Sequence, residues 1–314
     1  FQNMCKQGIN SLYFTEQAVS LRCRKMTTRN ETALGSAIKI EISLVISATF
    51  ARGESMFPNT RLIDLSVPLE NEAVSEPLPG TIHYAEHQAE GRAQMEQFFG
   101  VTPDDLVWSN GEGWAIEEVR MITHTGTHMD APYHYGRTSA GQPAKTIDKV
   151  PLEWCFAPGV VMDVRHIEPG AEITVDDLRG ILDRIEYSLK PGDIILLQTG
   201  ADKRIHSKEY FRQPGLGRDG VLWLVEQGIK VIGIDAYTLD RPFADMVGDF
   251  KRTGDGRHIW PAHFAGLTSE YCQIEKLANL DQIPRPHGFM VSCLPVKIKA
   301  ASAAWCRAVA MVPE

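Results

Sequence analysis

Two short apolar runs near the middle of the chain constrain its fold most. "DIILLQ" (193–198) follows a Pro-Gly turn, and "KVIGID" (230–235) follows Gly228. Each is too short for an ordinary helix and lacks polar alternation, which is the pattern of a buried strand. Between them "GRDGVLWLVEQG" is helical, with Gly228 as its C-terminal cap. Upstream, "TVDDLRGILDRI" predicts a helix with Thr174 at its N-cap and Asp176 and Asp177 in its first turn. "GVVMDVR" (159–165), "HGFMVSCLPV" and "AWCRAVAMV" supply further strands, and "RLIDLSVPL" is a strand ended by Pro68. "HYAEHQAEGRAQMEQFFG" reads as a helix interrupted by Gly91 and stopped by Gly100. Strands and helices alternate in the middle and strands dominate both ends, so the class is mixed α/β.

Residues 1–55 differ from the rest. They show no clear period, and the expectation is a poorly ordered or non-native extension, with residues 56–314 as the folded domain. The chain begins with Phe1, and Met4, Met26 and Met56 are alternative starts. Apolar content of 43% and charged content of 23% are those of a globular protein. A net charge of −8 without a basic stripe argues against nucleic acid as partner. No run of about 18 apolar residues suggests a membrane span. The six cysteines include no C-x-x-C pair, which fits free thiols and a cytoplasmic location.

The chemistry concentrates in "HTGTHMDAPYH", His124 to His134. As a helix this stretch would place only His124 and His128 on one face, and Gly126 and Pro132 would weaken it. As an extended strand it projects His124, His128, Asp130 and His134, all even-numbered, from one side. Gly126 falls on that side too and leaves room for a metal or substrate. Imidazoles with a carboxylate suit zinc, manganese or iron. More distant ligands are sought in "WPAHFAGLTSEYCQIEKL", where His263 follows Pro261 and Glu275 opens a helix.

Other candidates carry a plainer alternative. Asp235 and Asp240 in "GIDAYTLD", and Gln198 and Thr199, follow buried strands, where α/β proteins often place functional groups. Turn chemistry or capping is the simpler role, favoured for Asp240. Trp108, Trp114, Phe243 and Trp260 could line an aromatic pocket, although single aromatics are usually core. The polar, glycine-punctuated segment from Arg241 to Ile259 is expected to be a long loop that covers a site.

"HTGTHMDAPYH" resembles the H-x-G-T-H-x-D-x-P-x-H signature of the cyclase family of metal-dependent hydrolases, which includes kynurenine formamidase, isatin hydrolase and trans-dienelactone hydrolase. "LIDLSVPL", "GDIILLQTG", "GIDAYTLD", "EKLANLDQIP" and "CLPVKI" extend the likeness over most of 61–312. The resemblance implies a barrel-like, swivelling β/β/α domain. It implies His124, His128, Asp130, His263 and Glu275 as ligands of one or two Zn2+ or Mn2+ ions, and His134 as general acid/base. It also implies a homodimer or higher homo-oligomer. One departure is "LPGT" (78–81), where an arylformamidase would carry W-P-G-D.

The expected reaction is hydrolysis of a small-molecule amide, cyclic imide or lactone by metal-activated water. His134 would move the proton, and Thr127 would either steady the oxyanion or brace the loop. Two alternatives stand beside it. One is a non-haem Fe(II) oxygenase using His128, Asp130 and His263. The other is a non-catalytic metal-binding protein.

Overall fold

A computed structural model describes residues 59–314. The segment expected to be an N-terminal extension, 1–55, lies outside the described residues, as do Cys5 and Cys23.

The buried runs form the middle of one large sheet. Phe156–Asp163, Ile194–Gln198, Val231–Ile234 and Cys272–Glu275 lie side by side in parallel. The Val175–Arg184 and Arg218–Glu226 helices separate the first three of these strands in sequence, as parallel pairing requires of its connections. Antiparallel strands complete both ends. Phe289–Ser292, Val309–Pro313 and Thr60–Asp64 follow on one side, and His128–Asp130 and Ala303–Trp305 on the other. Counted over the described residues, nine strands make this curled sheet, so the expected mixed α/β class holds.

Alternation along the central strands feeds two separate cores. Ile194 and Leu196 join Met129, Val231 and Ile274 on one face. Ile195 and Leu197 join Met162, Ile232 and Ile234 under the helices on the other. Each such fully buried aliphatic side chain is worth roughly 1.5–3 kcal/mol of transfer free energy, which explains the unbroken apolar runs in the sequence. The same alternation fixes the site. Met129 and Ile274 point into the first core, so their neighbours His128, Asp130, Gln273 and Glu275 all turn to the opposite face.

Local expectations hold in part. Thr174 caps its helix, accepting from the Asp177 backbone N–H in a capping box. Gly100 ends the Glu90–Phe99 helix in the left-handed conformation, but Gly91 sits inside that helix, and His83 and Tyr84 belong to the Thr81–Ala85 strand before it. "AWCRAVAMV" splits into two strands, Ala303–Trp305 and Val309–Pro313. The long loop expected at Arg241–Ile259 instead contains an eleven-residue helix, Phe243–Thr253. Phe243, Met246, Val247 and Phe250 recur at helical spacing there, and Gly254 caps it. Among the described residues no helix is long and apolar enough to cross a membrane.

Candidate metal centre

The signature stretch is not one extended strand. Only His128–Asp130 is strand. His124 precedes it in a turn, and His134 lies on the short Pro132–Tyr135 helix, with Pro132 at the start. Gly126 makes the turn possible. Its φ is +61°, a left-handed conformation that L side chains rarely adopt, so the turn calls for a glycine. The four side chains still converge, by a turn, a strand and a helix rather than by strand phase.

Asp130 is the hub and is fully buried. Its Oδ1 lies 2.9 Å from His124 Nδ1 and 3.4 Å from His128 Nε2. Its Oδ2 lies 3.9 Å from both His134 Nε2 and His263 Nε2. Two groups of potential ligand atoms therefore share this carboxylate: His124, His128 and Asp130, and Asp130, His134 and His263, each within 4.8 Å. The His128–Asp130–His263 set of the oxygenase alternative is not one of these groups. Glu275 reaches both histidines opposite it, 3.7 Å from His128 Nε2 and 3.7 Å from His263 Nε2. Contrary to expectation it opens no helix but ends the Cys272–Glu275 strand, directly across from His128.

Second contacts fix which nitrogen of each ring faces inward. His128 Nδ1 donates to the Gly126 carbonyl at 2.8 Å, leaving Nε2 as the inward lone pair. His263 Nδ1 donates to Asp240. The same Asp240 carboxylate accepts from the Ala262 and His263 backbone N–H groups. The capping role favoured for Asp240 is therefore real, and one carboxylate also orients the imidazole. His124 Nε2 lies 3.2 Å from Ser302 Oγ. Trp260 stacks on the His263 ring with centroids 4.2 Å apart.

The donor set fits a divalent cation. Among the described residues, His128 Nε2 and Asp130 Oδ1 are buried and make no well-aligned hydrogen bond, although His124 Nδ1 approaches Oδ1 to 2.9 Å. Leaving such groups bare would be costly, and imidazole with carboxylate is what Zn2+ or Mn2+ takes. Burial pushes His134 down to about 4, with the neighbouring imidazoles adding to it and Asp130 opposing it. His134 is thus neutral near pH 7, and its side chain, 20% exposed, stands at the mouth with His124, 23% exposed.

Several residues that the sequence did not disclose complete the surroundings. Gln273 sits opposite Asp130 and is fully buried. Its i, i+2 relation to Glu275 is a usable signal only once the segment is known to be strand. A buried ion pair, Lys276 to Glu76 at 2.6 Å, lies behind the turn. Lys276 Nζ donates to the His124 carbonyl and Glu76 accepts from Gly126 N–H. Thr127 braces this network, because its hydroxyl donates to the Lys276 carbonyl and accepts from Val67 N–H. That commits the hydroxyl on both sides and argues against the oxyanion role.

Asp235 and Gln198 lie elsewhere. Asp235 accepts from Thr199 N–H, Thr199 Oγ1 and Gly200 N–H, closing the turn after the Ile194–Gln198 strand. Of the four aromatics considered for a pocket, only Trp260 packs against the clustered histidines. Trp108 is fully exposed, Trp114 packs against Phe98 and Phe99, and Phe243 against Tyr237.

This fold is that of a known class. The family model "Putative cyclase" matches residues 63–241, more than half of the chain, and the protein belongs to that cyclase family. It is 28% identical to "Cyclase-like protein 2" of Oryza sativa subsp. japonica, over 62% of this chain and 64% of that one, less than two thirds of the relative's length. It is 29% identical to the kynurenine formamidase of Erythrobacter litoralis (strain HTCC2594), over 65% of this chain and 82% of that one. The structure of isatin hydrolase A from Ralstonia solanacearum superposes with a TM-score of 0.63 at 24% identity, covering 88% of this chain and all of that one, which shows the shared fold.

Proposed function

We propose that this protein is a metal-dependent hydrolase that cleaves a C–N or ester bond at the carbonyl of a small amide, cyclic imide or lactone. The observation that carries the reading is the convergence of His124 Nδ1 and the buried His128 Nε2 on Asp130 Oδ1, at 2.9 and 3.4 Å, with no well-aligned hydrogen bond to either buried atom and an uncharged His134 beside them. Relatives named for formamide and isatin hydrolysis support the bond type. His124, His128 and Asp130 hold a divalent ion, with Glu275 and His263 behind them. When bound, such an ion supplies an acidified water and a Lewis acid for the carbonyl.

The chain's own residues do the rest. His134 Nε2 faces the Asp130 side of the centre and takes a proton from the attacking water, then returns it to the leaving nitrogen or oxygen. Asp130 holds that imidazole's charged form once it appears, through the 3.9 Å approach. Trp260 and the Pro132–Tyr135 helix position the His134 ring and limit its contact with bulk water.

Protein stripped of metal and reloaded with Zn2+ or Mn2+ tests the reading against formamides, isatin, cyclic imides and lactones. His134→Ala should keep its metal and lose at least about 100-fold in turnover, the scale of acid/base catalysis. A second reading follows from the Asp130, His134 and His263 grouping, in which His134 is itself a ligand. Loss of metal together with turnover in His134→Ala would establish that reading instead.

A further inference from the structure

The two sides of the Asp130 carboxylate differ, and the difference lies in Gln273. On the Oδ1 side, Asp130 Oδ1 and His128 Nε2 make no well-aligned hydrogen bond among the described residues, and only the His124 ring, with Nδ1 2.9 Å from Oδ1, closes on them. On the Oδ2 side, three acceptors close on a single atom. Gln273 Nε2 lies 3.0 Å from Asp130 Oδ2, 2.7 Å from His263 Nε2 and 3.0 Å from Glu275 Oε1. Each of the three can accept there, and the two hydrogens of the amide serve two of them at a time. Two of the three are carboxylate oxygens, and His263, with Nδ1 donating to Asp240, offers a lone pair at Nε2 in its neutral form. With its nitrogen inward toward the two carboxylates, the amide turns Oε1 to the Tyr271 hydroxyl, 3.0 Å away, whose single hydrogen is shared between Oε1 and the Ala262 carbonyl at 2.9 Å. An aspartate oxygen, an imidazole nitrogen and a glutamate oxygen around one point form the donor set of a divalent cation. Here the point is taken by the positive end of an amide dipole.

We infer that Gln273 makes this a one-ion centre: its side-chain amide fills the position that a second cation would take, leaving one ion for His124, His128 and Asp130. The inference rests on the metal-hydrolase reading above and adds the ion count and its cause. The arrangement also explains how His134 stays unliganded. The second group it could join shares Asp130 Oδ2 and His263 Nε2, and both are already engaged by Gln273.

Metal-binding stoichiometry tests this without recourse to activity. Full-length protein, freed of metal with a chelator, is titrated with Mn2+ and with Zn2+, and bound ion per chain is measured by elemental analysis and calorimetry. Wild type should saturate at one ion per chain. Gln273→Ala removes the amide, and Gln273→Glu keeps its size while replacing a donor with an anionic ligand. At least one of these variants, with native circular dichroism, should saturate at two. Two ions in wild type would overturn the inference, as would one ion in both folded variants. No ion in wild type would overturn the metal-hydrolase reading itself, an outcome distinct from either.

Discussion

Asp240 and Asp235 follow the same buried strand, and their carboxylates serve different ends. Asp240 accepts from His263 Nδ1 and from two backbone N–H groups at the start of the Pro261–Ala265 helix. Asp240→Asn should weaken metal binding about 10–100-fold, the usual cost of losing a carboxylate that orients a ligand histidine. Competition with a fluorescent chelator measures it. Asp235 is buried, and burial pushes its pKa up to about 6 from an ordinary 3.8, against the pull of three donors. The folded state therefore holds this proton more tightly than the unfolded chain. Its contribution is fully present below about pH 4 and is lost as pH rises through about 6, a change of about 3 kcal/mol. Urea unfolding of wild type and Asp235→Asn from pH 4 to 7 should show wild type losing stability relative to the variant across that window. A gain of wild-type stability with rising pH would contradict it. The sequence placed both residues after a buried strand and favoured capping for Asp240, but it could not show what separates them, a partner distant in the chain, His263 for one and Thr199 for the other.

The element that did most to hide the centre is the Cys272–Glu275 strand. Read as the start of a helix, it leaves Glu275 alone. Read as a strand, it brings Gln273 and Glu275 onto one face, opposite Asp130 and His128. A run this short fits either assignment locally, and its pairing with two strands from elsewhere in the chain decides it. The signature turn shows the reverse. Four ligand-type residues were legible from types and spacing alone, yet even-numbered phase explains only His128 and Asp130. Gly126 and Pro132 redirect the chain on either side. Behind that turn, Lys276 and Glu76 tie the His124 carbonyl and Gly126 N–H together in a buried ion pair. Lys276→Met leaves Glu76 buried and unpaired and should cost about 3–5 kcal/mol in chemical denaturation. Adding Glu76→Gln should recover much of that loss, and a double variant no more stable than the single one would show the pair acts otherwise.

Across the whole molecule the sheet divides its labour by face. One face, with Met129, Ile274, Ile194 and Leu196, is hydrophobic core. The other carries His128, Asp130, Gln273 and Glu275 at the end where the parallel strands give way to antiparallel ones. Short strands there bring distant segments into contact without filling the space with apolar side chains. The mixed α/β class was legible because apolar runs and capped helices alternate in sequence. The strand order was not, since it depends on pairings up to the full length of the domain. The centre thus stands on a rigid frame, with His124 and His134 at its open side. The most direct test is to compare bound Zn2+ or Mn2+ and amide or lactone hydrolysis in wild type and Asp130→Ala. Wild type should bind metal and lose hydrolysis when it is stripped, regaining both on reloading, while folded Asp130→Ala should do neither. Wild-type metal affinity in Asp130→Ala, or full hydrolysis by metal-free wild type, would contradict the account.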